Sequence, residues 1–329
     1  MELINGSFII SLDYELMWGV RDKRTIENYG DAIKGVKNST KLTLALFRKY
    51  KVKATYATVG FLFHENKQEL LNFIPEIKPS YKDSNLSPYT DIQNFLGENE
   101  LSDPYYFGYD LVKEIRDEGQ HELATHTYCH YYCLEPDQTP EQFEIDLHKA
   151  INIAEKKGVE IKSIVFPRNQ YNNEYIDICK KNGIISYRGN EFHFIYKSGS
   201  GDKQTPLRRM LRLIDAYINI SGYHCYKYSF IKKEFPYNIP SSRFLRSYNK
   251  KLSYLESFKL KRIKSAMTHA AKNNLVYHLW WHPHNFGRNT QENIKMLDSI
   301  LKHYSFLNEK YGFESITMQG LSEKLKTIK

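Results

Sequence analysis

Cysteine is scarce in this chain, with 4 in 329 residues. That excludes a scaffold stapled by disulfides. No run approaches the ~18 consecutive apolar residues of a membrane-spanning helix. A basic leader is missing as well. Met1-Glu2-Leu3-Ile4-Asn5-Gly6 has no Lys or Arg, and the apolar run from Phe8 to Leu12 stops at Asp13 and Glu15. The expected setting is therefore cytoplasmic and reducing. Internal repeats, low-complexity tracts and linkers are also lacking. With 41% hydrophobic and 26% charged residues, the composition is that of a folded globular chain. Charge has a moderate excess of one sign: 47 Lys and Arg against 38 Asp and Glu give +9. No basic stripe or nucleic-acid motif accompanies it, so no nucleic-acid partner is expected. Lysines on solvated faces account for such an excess, and it would also suit an acidic glycan, a phosphate-bearing carrier or an anionic membrane surface.

What is present is an alternation of strand-like and helix-like segments. Ser7 to Leu12 is a short apolar run, as in a buried strand. The spacing predicts a helix over Lys41 to Tyr50, a strand over Ala54 to Phe63 and a helix over Tyr109 to Asp117 that stops before Gly119. Glu122 to Thr125 reads as a strand. Thr139 to Lys157 reads as an amphipathic helix opened by Thr139-Pro140-Glu141-Gln142, a capping box with Pro in the first turn. Strands follow over Ser163 to Phe166, Gly183 to Tyr187, Leu275 to Trp281 and Ser315 to Met318. Helices are expected over Glu174 to Lys181, Phe258 to Lys272 and Gln291 to His303. Such alternation implies an α/β fold with a parallel sheet or barrel, whose chemistry lies where the strands end. One domain over 1–329 is expected, with insertions at about 65–106 and 198–256 that could wall a substrate groove.

Polar residues gather at four of those strand ends. Asp13 and Glu15 are two apart, so both point the same way if the strand continues. His126 and His130 share the His-x-x-x-His spacing, which puts two imidazoles on one side of a helical turn and suits two ligands of one metal ion. Arg168-Asn169-Gln170-Tyr171 and His282-Pro283-His284 complete the set. Two His and a carboxylate make a three-ligand site with open positions, as a catalytic metal needs. A second carboxylate can take a proton from water, and a further His can protonate a leaving group. Arg168 could orient and ionise the carboxylate base. Cys129 and Cys133 flank the histidines, and a reduced structural pair is the expectation for them. Tyr131, Tyr132, Trp280 and Trp281 could stack on sugars, although aromatics beside a strand end are more often core.

In order and spacing, these segments resemble the polysaccharide deacetylase family (the NodB-homology domain, carbohydrate esterase family 4). Ser11-Leu12-Asp13-Tyr14-Glu15 is similar to its Thr-Phe-Asp-Asp-Gly motif. His126-Thr127-Tyr128-Cys129-His130 matches its His-Ser/Thr-x-x-His motif, after the usual lead-in at Glu118-Gly119-Gln120-His121-Glu122. Ala54-Thr55-Tyr56-Ala57-Thr58 looks like its Ala-Thr-Phe-Phe strand. Arg168-Asn169-Gln170-Tyr171 echoes Arg-x-Pro-Tyr, and Trp280-Trp281-His282 echoes Leu-x-His. The resemblance runs from about residue 7 to 286.

The resemblance implies a distorted (β/α) barrel and a metal-dependent deacetylase acting on an N- or O-acetylated sugar. It implies Asp13 as base, His282 as general acid and Arg168 as the residue orienting the base. Glu15, His126 and His130 are the implied ligands of a divalent metal, zinc first. The family's paired acids here read Asp13-Tyr14-Glu15, which leaves Asp13 as the alternative ligand. His284, Tyr171, Arg188 and Trp281 are candidates for substrate contact, and Arg243-Phe244-Leu245-Arg246 for phosphate contact. A cytoplasmic member would act on a glycan or a diphosphate-linked glycan precursor, with peripheral contact to an anionic membrane surface. Two alternatives stand beside this: hydrolysis of another non-peptide C–N bond on the same fold, and an inactive glycan-binding or assembly protein.

Overall fold

The computed structural model describes residues 5–197, 199 and 205–327. The leader reading at Met1–Ile4 and the start of the second insertion, Ser198, lie outside the described residues. Among the described residues nine parallel strands form one curled sheet. They are β1 (Ser7–Tyr14), β2 (Thr55–Thr58), β3 (Glu122–Thr125), β4 (Ser163–Ile164), β5 (Ser186–Tyr187), β6 (Tyr237–Asn238), β7 (Arg243–Phe244), β8 (Val276–Trp281) and β9 (Glu314–Ser315). The order is β6-β5-β4-β3-β2-β1-β8-β7, with β9 added to β1. Helices connect the strands and cover the outside, so the architecture is a distorted (β/α) barrel.

Side-chain alternation explains both where the core lies and where the site lies. On β1, Phe8, Ile10, Leu12 and Tyr14 point outward into the main hydrophobic core beneath the helices. Ile9 points inward and joins Ala57, Ala124, Val165, Ile239 and Val276 from neighbouring strands. Met318, Leu321 and Leu325 of the last helix, Met318–Thr327, plug this end of the barrel. Further along the same inward face of β1 stand Ser11, Asp13 and then Glu15. The inner face therefore changes from apolar to polar in the direction of the strands, and the open end is the C-terminal end.

Local elements follow the sequence closely where capping chemistry is strong. Thr139 accepts from Gln142 N–H and the Gln142 side chain answers, so the helix runs Pro140–Lys156. Three readings need correction. The apolar stretch Ala54 to Phe63 is not one strand: β2 stops at Thr58, and Gly60–Phe63 is a 3-10 turn. There Gly60 packs on Tyr128, and a Cβ would strike that residue's backbone. The last strand ends at Ser315, because Met318 starts the plugging helix. The segment His126 to His130 is not helical, since Thr127 and His130 both have positive φ, +64° and +62°.

Candidate active site

The His-x-x-x-His segment is held by a buried acid that the sequence reading missed. Tyr128 and Cys129 backbone N–H groups donate to Asp146, at 2.7 and 3.1 Å. Tyr131 N–H donates to Thr127 Oγ1 at 2.7 Å. These bonds fold the loop so that His126 and His130 lie with ring centroids 5.0 Å apart. The i,i+4 spacing thus brings the two imidazoles together through a tethered loop rather than through a helix.

Both rings meet Glu15. Its Oε2 lies 3.0 Å from His130 Nε2 and 3.3 Å from His126 Nε2. All three side chains are buried, and their nearest donor atoms lie within 4.8 Å of one another. Gly19 forms the floor, where a Cβ would overlap the Glu15 carboxylate. His126 Nδ1–H donates to the Val165 carbonyl at 2.7 Å. With Nδ1 engaged in this way, His126 turns its Nε2 toward Glu15. Burial lowers the His130 pKa to about 4. Burial opposes ionisation of Glu15 too, but the imidazoles of His282, His126 and His130 hold its carboxyl well below the usual range. Two imidazole nitrogens and an ionised carboxylate oxygen thus converge on one buried point. That donor set fits a cation. Two ligands ~2.0 Å from a tetrahedral ion stand roughly 3.3 Å apart, which matches the spacing here. The His126–Val165 bond is the outer contact that fixes the tautomer of a ligating histidine.

Asp13, beside Glu15, is satisfied differently. Arg188 grips both its oxygens, Nη1 to Oδ1 at 2.6 Å and Nη2 to Oδ2 at 2.7 Å. Burial raises the Asp13 pKa and the Arg188 guanidinium more than reverses it, so the carboxylate is kept ionised. Arg188 also donates to Ser11 Oγ at 3.0 Å and to Asn169 Oδ1 at 3.1 Å, and it stacks 4.1 Å from the Trp280 ring. Behind it, Ser11 Oγ meets His278 Nε2 at 2.8 Å.

His282 closes the other side. Its Nε2 is 3.7 Å from both Asp13 Oδ2 and Glu15 Oε1, and its side chain is 24% exposed. His284 stacks on it at 5.0 Å and is itself buried, 3.8 Å from Glu15 Oε1. The cleft above these groups has a volume of about 280 Å³. Asp13, Glu15, His126, His130, Trp280 and His282 line it together with the cations Lys23, Arg168, Arg209 and Arg212.

Several substrate and orienting assignments change. Arg168 does not orient Asp13. Its left-handed backbone (φ +54°) turns it toward Asp22, with Glu135 at 3.6 Å and the Tyr132 ring at 4.0 Å. Arg188 takes that role instead and is too deeply buried to be a surface contact for substrate. Trp281 points outward against Phe286 in the core, while Trp280 lines the cleft. Strand parity carried this signal: Trp280 shares a face with His278 and His282, and Trp281 does not. Tyr171 lies beside the cleft, with its hydroxyl accepting from Asn190 N–H at 3.3 Å. Arg243 is not a phosphate contact but pairs with buried Asp215.

The family model described as polysaccharide deacetylase matches residues 28–186. That span holds His126 and His130, while Asp13, Glu15, Arg188 and His282 lie outside it. No curated protein matches the chain. A structure described as a polysaccharide deacetylase of Mycobacterium smegmatis is similar with a TM-score of 0.58 and 12% identity, covering 99% of this chain and 92% of that one. Another so described, from Pseudomonas aeruginosa PAO1, gives 0.54 at 9% identity over 96% and 89%. Puue allantoinase gives 0.52 at 10% identity over 96% and 89%. At such identities these likenesses show the shared fold.

Proposed function

We propose that the chain, whose residues 28–186 match the polysaccharide deacetylase model, belongs to that family and is a metal-dependent hydrolase removing an acetyl group from an N- or O-acetylated sugar of a glycan or glycan precursor. Glu15, His126 and His130 would hold the divalent ion, zinc by the nitrogen and carboxylate donor set. When bound, it supplies Lewis-acid polarisation of oxygen next to the cleft. Asp13 accepts the proton of the attacking water, and Arg188 keeps Asp13 ionised and its oxygens aimed. His282 Nε2, the most open nitrogen of the group, delivers a proton to the departing amine or alcohol. Trp280 offers a ring face at the mouth for the sugar.

The observation that carries this reading is the convergence of Glu15, His126 and His130, their donor atoms within 4.8 Å of one another, beside an Asp13 held by Arg188 and a His282 open to the cleft. The four cations of the cleft favour a negatively charged substrate, such as a diphosphate-linked precursor. A cytoplasmic setting belongs to the proposal, and the four cysteines are all unpaired, in keeping with a reducing compartment. The test is metal content and acetate release, measured on the chain beside His126→Ala and His130→Ala. About one equivalent of bound zinc, lost in both variants together with acetate release from N-acetylated sugars, is expected. A chain that takes up no divalent ion on titration at neutral pH would overturn the hydrolytic reading. Metal-dependent turnover of another amide, without acetate release, would move the reading to a different C–N bond.

A further inference from the structure

His282 is held through its second ring nitrogen. Pro283–Phe286, which follows it, is a 3-10 turn with Pro in the first position. Asn285 N–H donates to the His282 carbonyl at 2.9 Å and closes the turn. The Asn285 side chain takes no part in that bond. It folds back over His282 instead, with its Oδ1 3.3 Å from Nδ1. Asn285 also hydrogen-bonds the Tyr29 hydroxyl. Tyr29 in turn stands edge-on to His284, with 5.5 Å between ring centroids. Aromatic rings surround the His282 imidazole: His284 lies parallel at 5.0 Å, and Trp280 and Phe244 stand edge-on at 5.5 and 5.7 Å. Stacking alone does not choose which ring edge meets the carboxylates. A half-turn of the imidazole about its last torsion would keep the stack and put carbon where Nε2 stands. The bond to Asn285 distinguishes the two.

We propose that Asn285 is a positioning residue for proton delivery by His282, an inference that rests on the deacetylase reading. An amide oxygen only accepts, so Nδ1 keeps a hydrogen toward it. Nε2 is then the nitrogen that gains and loses a proton. It lies 3.7 Å from Asp13 Oδ2, and His282 lines the cleft. The proton balance follows from these positions. Asp13 takes one proton from the attacking water. Nε2 gives one to the departing nitrogen or oxygen as its bond to the acetyl carbon breaks. The proton on Asp13 then restores Nε2, and the hydrogen on Nδ1 never moves. Asn285 thus acts on the reaction only through the ring it holds.

The test varies the leaving group. The zinc-loaded chain is assayed on N-acetylated glucosamine oligomers and on 4-nitrophenyl acetate, whose nitrophenolate departs without a proton. Asn285→Ala should lower kcat on the oligomers about thirtyfold, with KM within about twofold of the parent. Hydrolysis of 4-nitrophenyl acetate should stay within about threefold. Asn285→Asp, which keeps an acceptor oxygen, should recover most of the oligomer rate. Equal losses on both substrates, or no loss on either, overturn the proposal. A second readout needs no turnover. Nitrogen NMR of isotopically labelled imidazoles, assigned by the signals missing in His282→Gln, should show hydrogen on Nδ1 of His282 in the parent and its shift to Nε2 in Asn285→Ala. A parent ring that carries hydrogen on Nε2 alone overturns the proposal. A chain that releases no acetate while its spectra change as expected removes the deacetylase reading and upholds the tether.

Discussion

Asp215 and Glu15 are both buried carboxylates, and their surroundings are opposite. Asp215 is wrapped by donors: Tyr196 Oη at 2.6 Å, Ser221 Oγ at 2.7 Å, Ser221 N–H at 2.9 Å, Ile220 N–H at 3.1 Å, and Arg243. Its charge is fully answered by the protein, and its pKa falls well below normal: burial opposes ionisation and Arg243 overcomes it. Glu15 is walled by imidazoles, with His130 Nε2 at 3.0 Å and His126 Nε2 at 3.3 Å. A buried charge answered by donors is a structural tie. One set among converging imidazole nitrogens is a site that a cation can complete.

The largest expected effect breaks the first kind of site. Asp215→Asn leaves Arg243 and Arg262 buried without their counter-charge and should cost about 3–5 kcal/mol in denaturant unfolding. Glu15→Gln, measured without metal, should stay within about 1 kcal/mol of the parent, because the new amide N–H can donate to the imidazole. Equal losses in the two variants would erase the contrast. Next in size is the division of labour between the two arginines. Arg188→Lys keeps the charge but loses the two-pronged grip on Asp13, and kcat should drop about a hundredfold, ~2.7 kcal/mol. Arg168→Lys, which touches Asp22 and Glu135 instead, should leave kcat within about threefold. The reverse ranking would restore Arg168 as the orienting residue.

The smallest effect concerns pH. Burial, with Arg188 nearby, lowers the His278 pKa from 6.5 to about 3. The unfolded chain therefore takes up that proton first. Stability from this group is complete above about pH 6.5 and declines as pH falls toward 3. His278→Gln should flatten the fall in melting temperature between pH 6.5 and 4 relative to the parent. Asp146, raised by burial to about 6, acts in the opposite direction but is common to both proteins. Parallel pH profiles would show that His278 is not held neutral.

Much of the fold was legible because parallel strands announce themselves as apolar runs and the helices carry their own stops. The grouping of Asp13, Glu15, His126, His130 and His282 was legible because each follows a strand end, and all strands point the same way. Arg188 was misjudged for a physical reason. Arg168 and Arg188 both follow short inner strands, and only the backbone twist at Arg168 decides which one reaches β1. Ser11 and His278 were hidden inside strands that read as apolar, although their parity matches Asp13 and His282. Asp146 sits mid-helix, where its role as a loop anchor leaves no local pattern.

The site also constrains the order in which the molecule can be assembled. Glu15 and His130 are 115 positions apart, and β1 and β3, which present them, are joined only through β2. No fragment lacking any of these three strands can gather the donors. Bringing such distant segments together is slow compared with forming a helix. During synthesis the chain must extend past His130 before the cradle exists. An ion captured there would then lock about the first two-fifths of the chain into its final register, a latch set late rather than a nucleus formed early.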